Sequence, residues 1–269
     1  MAPLALALAV TVVPASALAS QAKTAGGSFD VCTTDKAISA GNYEVNNNNF
    51  AGKPECLTGE NGVAAFTVKS SGASSTTPGS DAFPDIFTGC SWGICSPDAW
   101  LPARLSAVGN PTTTFAGTEN ASGTWGAGYD MFFDRQPVRT GQGQVEAMIW
   151  LNSRNAYDPA GHGWPVVTID GTQWYAMTWE TGNGKARWRY VQFRRKTPAA
   201  SVKDMPLGPF YAYLEKRGWV TPDWYLLNVE AGFEIWDGGT GLAVNQFGVR
   251  PAPAASANPG PTASAKPAS

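Results

Sequence analysis

Val145-Glu146-Ala147-Met148-Ile149-Trp150-Leu151 alternates strictly, with Val, Ala, Ile and Leu on one face and Glu146, Met148 and Trp150 on the other. A two-residue period is that of a β-strand, and the first face belongs in a core. Leu227 to Trp236 repeats the design: Leu227, Val229, Ala231, Phe233 and Ile235 alternate with Asn228, Glu230, Gly232, Glu234 and Trp236. A third stretch, Tyr129 to Asp134, sets Asp130 and Asp134 against Tyr129, Met131 and Phe133. All three strands therefore carry carboxylates beside aromatic or Met side chains on the face turned away from the core.

Working outward, the chain from Gly27 to Val249 is a succession of short β-rich segments separated by turn clusters: Tyr43–Val45, Val63–Val68, Ala127–Phe133, Gln144–Leu151, Val166–Ile169, Gln173–Trp179, Ala186–Arg194, Leu226–Ile235 and Leu242–Phe247. Thr181-Gly-Asn-Gly184 reads as a hairpin turn. One segment reads as a helix, capped by Asp204, with Pro206 in its first turn and Gly218 at its end. The 269 residues include 30 Gly, 20 Pro and 11 Trp, with only 15% charged, which disfavours long charged helices and suits a turn-rich sheet protein. The expected fold is all-β, a sandwich of two antiparallel sheets with one short helix.

The ends read differently. An apolar run from Leu4 to Val13 precedes Ala17-Leu18-Ala19, as in a secretory signal peptide, although no Lys or Arg stands before it. Residues 1–22 are assigned to that signal, 27–249 to the domain, and 250–269, made of Pro, Ala, Ser, Thr, Gly, Asn and single Arg and Lys residues, to a disordered linker that would tether a further module. Export makes disulfides the natural state of the four cysteines. Of three possible pairings, Cys32 with Cys56 and Cys90 with Cys95 is favoured because both are local. No C-x-x-C spacing occurs and His162 is the single histidine, so no metal or organic cofactor is expected. A net charge of -2 argues against a nucleic-acid partner, and no membrane association is expected once the signal is removed.

Acidic residues on the outer face of a sheet are ordinarily just solvated. A solvated face would mix in Lys, Thr and Ser; these faces instead combine Glu with Trp and Met, the make-up of a partly desolvated groove for a sugar chain. Such a groove can hold two carboxyls with separated ionisation, the pair that glycoside hydrolysis requires.

The residues also resemble a family. Tyr43-Glu-Val-Asn-Asn-Asn-Asn-Phe50, Gly89-Cys-Ser-Trp-Gly-Ile-Cys-Ser96, Tyr129-Asp-Met, Glu146-Ala-Met-Ile-Trp150 and Glu230-Ala-Gly-Phe-Glu-Ile-Trp236 are similar to glycoside hydrolase family 12, the endoglucanase and xyloglucanase family. The asparagine run is weak by itself; the two Glu-bearing strands together are specific. The resemblance implies a β-jelly roll of two curved sheets with an open concave cleft, and retaining cleavage of β-1,4-glucan. It implies Glu146 as nucleophile, Glu234 as general acid/base, and Asp130 as the neighbour that sets the nucleophile's ionisation. The family's two disulfides fall on the favoured pairing. Phe50 stands where the family usually has a Trp, a smaller stacking platform. Asn48, Phe50, Trp92, Met148, Trp150 and Trp236 are the expected substrate-binding residues, while Trp174 and Trp179 alternate less clearly and fit a core.

The expected protein is a secreted, monomeric endo-acting β-1,4-glucanase. The readings kept beside it are a non-catalytic sugar-binding jelly roll and a retaining xylanase. His162 and Trp164 occupy a loop after the nucleophile strand, and the basic run Arg187, Arg189, Arg194, Arg195 and Lys196 reads as a solvated strand edge.

Overall fold

A computed structural model describes residues 26–33, 36–140, 143–182, 184 and 187–252. The expected signal peptide and all but the first three residues of the expected linker lie outside the described residues, as does Asn183 of the anticipated hairpin turn. No helix among the described residues is long and apolar enough to cross a membrane.

Two sheets make the molecule. The outer one runs in the order β1 (Ser28–Val31), β4 (Glu55–Glu60), β5 (Phe66–Ser71), β19 (Ala243–Arg250), β10 (Thr112–Thr118), β16 (Ser201–Pro206). The larger runs β13 (Val166–Ile169), β14 (Thr172–Thr181), β15 (Trp188–Arg195), β12 (Val145–Arg154), β11 (Gly123–Asp134), β18 (Asn228–Gly238), β7 (Asp85–Ser91), β3 (Tyr43–Asn47), β2 (Lys36–Ala40). Short strands β6 (Ala73–Ser74), β8 (Ile94–Cys95), β9 (Ala103–Arg104) and β17 (Tyr225–Leu226) attach at the margins.

The alternation read from the sequence decides what lies between the sheets. Val145, Ala147, Ile149 and Leu151 are buried, as are Leu227, Val229, Ala231, Phe233 and Ile235. Facing them from the outer sheet are Leu57, Phe66, Val68, Phe115, Val244 and Phe247. Aromatic edges tie the layers together, with Phe66 against Phe233 at 6.3 Å and Phe115 against Tyr129 at 6.0 Å. Each such ring contributes about 1.5–3 kcal/mol by leaving water.

Three expectations are corrected. The sheets are not wholly antiparallel: β12 and β15 pair in parallel, because the chain leaves β12, turns through β13 and β14, and returns alongside it. Two helices are present, a one-turn α1 (Leu105–Val108) and α2 (Gly208–Lys216). Helix α2 starts later than expected, with Leu207 at its N-cap, because Asp204 and Pro206 belong to β16, where Pro206 pairs with Thr112 of β10. Ladder pairing there overrides the local capping signal. Helix α2 then packs Phe210 against Trp174 and Phe193 and closes the core beneath β14 and β15.

Central strand β11 carries Gly126 and Gly128 on the face away from the core. A Cβ on Gly128 would lie 2.1 Å from the backbone oxygen of Ile149, and one on Gly126 would lie 2.6 Å from the Trp150 ring. Backbone cannot yield as a side chain can. Gly128→Ala should therefore cost about 1–3 kcal/mol of stability through overpacking, read as a lower urea midpoint; an unchanged midpoint would show that β11 and β12 are not held this tightly.

Candidate active site

On β11 the face away from the core presents Gly126, Gly128, Asp130 and Phe132. In the ladder Glu146 of β12 stands opposite Phe132, Met148 opposite Asp130, Glu230 of β18 opposite Asp130, and Glu234 opposite Gly126. Along a flat strand the interval from Gly126 to Phe132 would be about 20 Å. Yet Glu146 and Glu234 line one cavity, and the charge of Glu234 raises the Glu146 carboxyl. Against β11, strand β12 carries an extra residue at Leu151 and strand β18 one at Trp236, and such bulges bend the strands that carry them.

The cavity, of about 800 Å³, is walled by Asn48, Phe50, Trp92, Asp130, Glu146, Met148 and Glu234, all expected as site residues, and also by Asn46, Ser80, Phe83, Phe132, Trp188 and Glu230, which were not. Phe50 and Trp92 stand at its rim, 56% and 60% exposed. Trp92 sits in the loop closed by the Cys90–Cys95 disulfide; the other disulfide joins Cys32 to Cys56.

Two expected substrate-binding residues do not line it. Trp150 is 1% exposed, so the expectation that a sugar stacks on it is corrected. Its ring lies over Gly126, meets Trp236 edge-on at 5.8 Å and has the Arg194 guanidinium 5.6 Å from its centroid. Trp236 is half-buried, and its indole N–H donates to the Pro78 carbonyl at 2.9 Å, pinning the loop that brings in Ser80. Asp81 anchors the same loop by accepting from the Ser74 amide at 2.8 Å. Trp150, Met148, Phe83, Met177 and Tyr190 form a second apolar cluster on this side of the sheet. The face that a simple antiparallel sheet would show to water is thus largely covered.

His162 lies outside the cavity wall, its Nδ1 2.7 Å from the Asp158 carbonyl oxygen. Trp174 is buried in the core, as read, whereas Trp179 is exposed.

The carboxyls differ in their partners. The Trp188 indole N–H donates to Glu146 Oε2 at 2.5 Å. The Ser80 hydroxyl donates to Glu234 Oε1 at 3.0 Å, while Glu234 Oε2 is buried with no protein partner. An indole can only donate, so it favours ionised Glu146; a hydroxyl can donate to a carboxylate or accept from a carboxylic acid, so Ser80 suits Glu234 in either state. Asn228 donates to Glu230 Oε1 at 2.7 Å and accepts from the Phe132 amide at 3.0 Å.

Burial pushes every acid of the cluster upward. Glu146 rises to about 8, by burial and by the charges of Glu234 and Glu230 against the opposing pull of Trp188. Glu234 rises to about 7 through burial, moderated by Ser80, and Glu230 to about 7 through burial, moderated by Ser91. Asp130 is held well above the usual carboxylate range by burial and then by Glu146, Glu230 and Glu234. Like charges this close and dry cannot all ionise, so the protons belong to the cluster as a whole. The indole contact assigns the negative charge to Glu146 more firmly than the ordering of the two values does, because a donor-only partner loses its hydrogen bond if the oxygen it faces takes the proton.

Sequence reasoning recorded Glu230 on this face without making it a site residue. It missed Trp188, although Trp188, Tyr190 and Gln192 alternate with Arg189, Val191 and Phe193. Ser80, in a loop of Ser, Thr, Gly and Pro, carried no signal at all.

Two outcomes follow from the ionisation. Acids with raised folded values bind protons more tightly folded than unfolded, so their stability contribution is complete below about pH 4.5 and is lost as pH rises through about 7–8. The melting temperature should accordingly fall between pH 5 and pH 8, and Glu230→Gln should flatten the decline; a rise across that window would refute the buried-acid account. Trp188→Phe removes the donor that favours ionised Glu146, so the acidic limb of the kcat/KM profile should move to higher pH, with roughly a tenfold loss at pH 5.

Residues 41–250 match the sequence profile of Glycosyl hydrolase family 12. A probable cellulase, Cel12b, of Mycobacterium tuberculosis is 29% identical over 151 residues, 56% of this chain and 96% of that protein. Among solved structures, a metagenome-derived family 12 endoglucanase superposes with a TM-score of 0.75 at 31% identity, covering 84% of this chain and 98% of that one. Endoglucanase cel12A from Rhodothermus marinus follows at 0.74 and 30%, covering 82% and 98%. The two-sheet architecture is thus the family's β-jelly roll, and the chain belongs to glycosyl hydrolase family 12.

Proposed function

We propose that this enzyme hydrolyses internal β-1,4-glucosidic bonds of cellulose-type glucans or xyloglucan with net retention, Glu146 acting as nucleophile and Glu234 as general acid/base. The observation that carries the reading is the pair of unlike hydrogen-bond settings in one cavity: a donor-only indole on Glu146, and a hydroxyl on Glu234 that leaves the second oxygen free. Relatives named as a cellulase and endoglucanases support the substrate class.

In the first step Glu234 gives its proton to the glycosidic oxygen as Glu146 attacks the anomeric carbon. The C–O bond to the leaving sugar breaks and an ester to Glu146 forms. Glu234, now ionised, takes a proton from water; that water attacks the anomeric carbon, and Glu146 departs as carboxylate. Retaining chemistry needs the two carboxyls about 5–5.5 Å apart, too close for water between nucleophile and sugar. Asp130, protonated beside Glu146, spares the nucleophile a further like charge and donates or withdraws a proton as the cluster titrates. Phe50 and Trp92 offer exposed rings to the sugar faces, Asn48 a polar side chain, and Met148 an apolar floor. We further propose that the enzyme is exported and works as a monomer on its polysaccharide.

Glu146→Ala and Glu234→Ala should each lower turnover of soluble β-glucan at least about a thousandfold, with the fold intact by circular dichroism. Wild-type sugar release by both would leave a sugar-binding module instead. A panel of carboxymethylcellulose, mixed-linkage glucan, xyloglucan and xylan, with product anomers followed by NMR, tests substrate and stereochemistry; β-anomer product is expected, and cleavage of xylan alone would make the protein a xylanase.

A further inference from the structure

Trp179 lies beyond the cavity wall, on the arm of the larger sheet opposite Phe50. In the ladder it pairs with Tyr190 of β15, and Tyr190 pairs with Glu146 of β12. The three side chains therefore form one row running across the strands, spaced by about 4.8 Å per strand. That is the direction a polysaccharide takes if it is to pass over Glu146 while lying along the cleft.

The Trp179 ring is fixed in place. It stacks on Tyr190 with centroids 4.2 Å apart and planes inclined by 29°. Tyr190 is itself buried, donates its hydroxyl to Met148 Sδ at 2.9 Å and accepts from Gln192 Nε2 at 3.2 Å. One face of the indole is thus covered by a ring that cannot move away, yet Trp179 as a whole remains 43% exposed. Trp188, which walls the cavity and donates to Glu146, pairs with Thr181, two residues along β14 from Trp179. Continuity with the catalytic row, and not exposure alone, singles this tryptophan out.

We propose that Trp179 is the platform of an outer subsite that binds a glucosyl ring of the β-glucan chain two strands beyond Glu146. The inference rests on the glucanase reading of the cavity. A β-glucopyranose ring presents C–H bonds on its flat faces, and the electron-rich face of an indole attracts them while both lose water. The subsite would strengthen long chains over short ones and bias which bond of an oligomer is placed over the carboxyls.

The test is length dependence. Trp179→Ala should raise KM for cellohexaose about three- to tenfold, and raise that for cellotriose by a clearly smaller factor. It should also shift the cleavage position of end-labelled cellohexaose, and Trp179→Phe should recover most of the effect. Equal losses on both oligomers, or none on the longer, would overturn the subsite. Calorimetry on the Glu146→Ala protein reads it without turnover: adding Trp179→Ala should weaken cellohexaose binding by a similar factor, and unchanged affinity would overturn the proposal. Wild-type turnover by Glu146→Ala would instead defeat the glucanase reading, so the two failures remain distinguishable.

Discussion

Asp130 and Glu230, buried, and Glu146 and Glu234, half-buried, share one face of three adjacent strands, and the charge repulsion among them governs how the rest of the site is built. Asp130 and Glu230 stand directly opposite each other across the ladder, a placement that would be destabilising if both were ionised. The strands tolerate it because burial raises these acids and lets protons stay on them. The apolar opposite face of each strand keeps the backbone from shifting to separate the carboxyls. What individual donors add is discrimination: Trp188 favours charge on Glu146, and Ser80 accommodates Glu234 charged or neutral.

The same sheet is packed on both faces. Beneath it lies the core shared with the outer sheet; above it, Trp150, Met148, Tyr190, Phe83 and Met177 make a second apolar layer around the cavity. Gly126 exists as glycine because the Trp150 ring occupies the space of its side chain, and Gly232 because the Pro84 backbone oxygen does. This second layer serves catalysis by lowering the local dielectric, which strengthens each electrostatic interaction inside. It also makes Trp150 a support for the floor, while the exposed rings stand at the edges.

Those edge rings are held by three unlike devices. Trp92 projects from a loop stapled by Cys90 and Cys95 and adopts φ 45, a backbone region unusual for so large a side chain. Phe50 follows the end of β3, where the Asn48 carbonyl accepts from the Phe83 amide. Trp179 is stacked on a buried tyrosine. Each is exposed, and each is anchored through something that is not.

Alternation in Val145–Leu151 and Leu227–Trp236 determined which residues enter the core and placed Glu146 and Glu234 on the other face, because a strand allows no third choice. The motifs around them were enough to indicate the family. What alternation could not decide was how deep that other face lies: Trp150 and Trp236 share it with Glu146 and Glu234, yet Trp150 is under cover, because the neighbours that cover it come from loops and from strands distant in the chain. For the same reason Ser80 and Trp188, 154 and 42 residues from the carboxyls they touch, were invisible locally. The local capping signal at Asp204 yielded to ladder pairing with β10, and the parallel join of β12 to β15 arose from a return path through two intervening strands. Side-chain direction is a property of a few consecutive residues and was written in the chain; depth, hydrogen-bond partner and proton affinity are properties of the assembled surroundings, and only the tertiary structure supplied them.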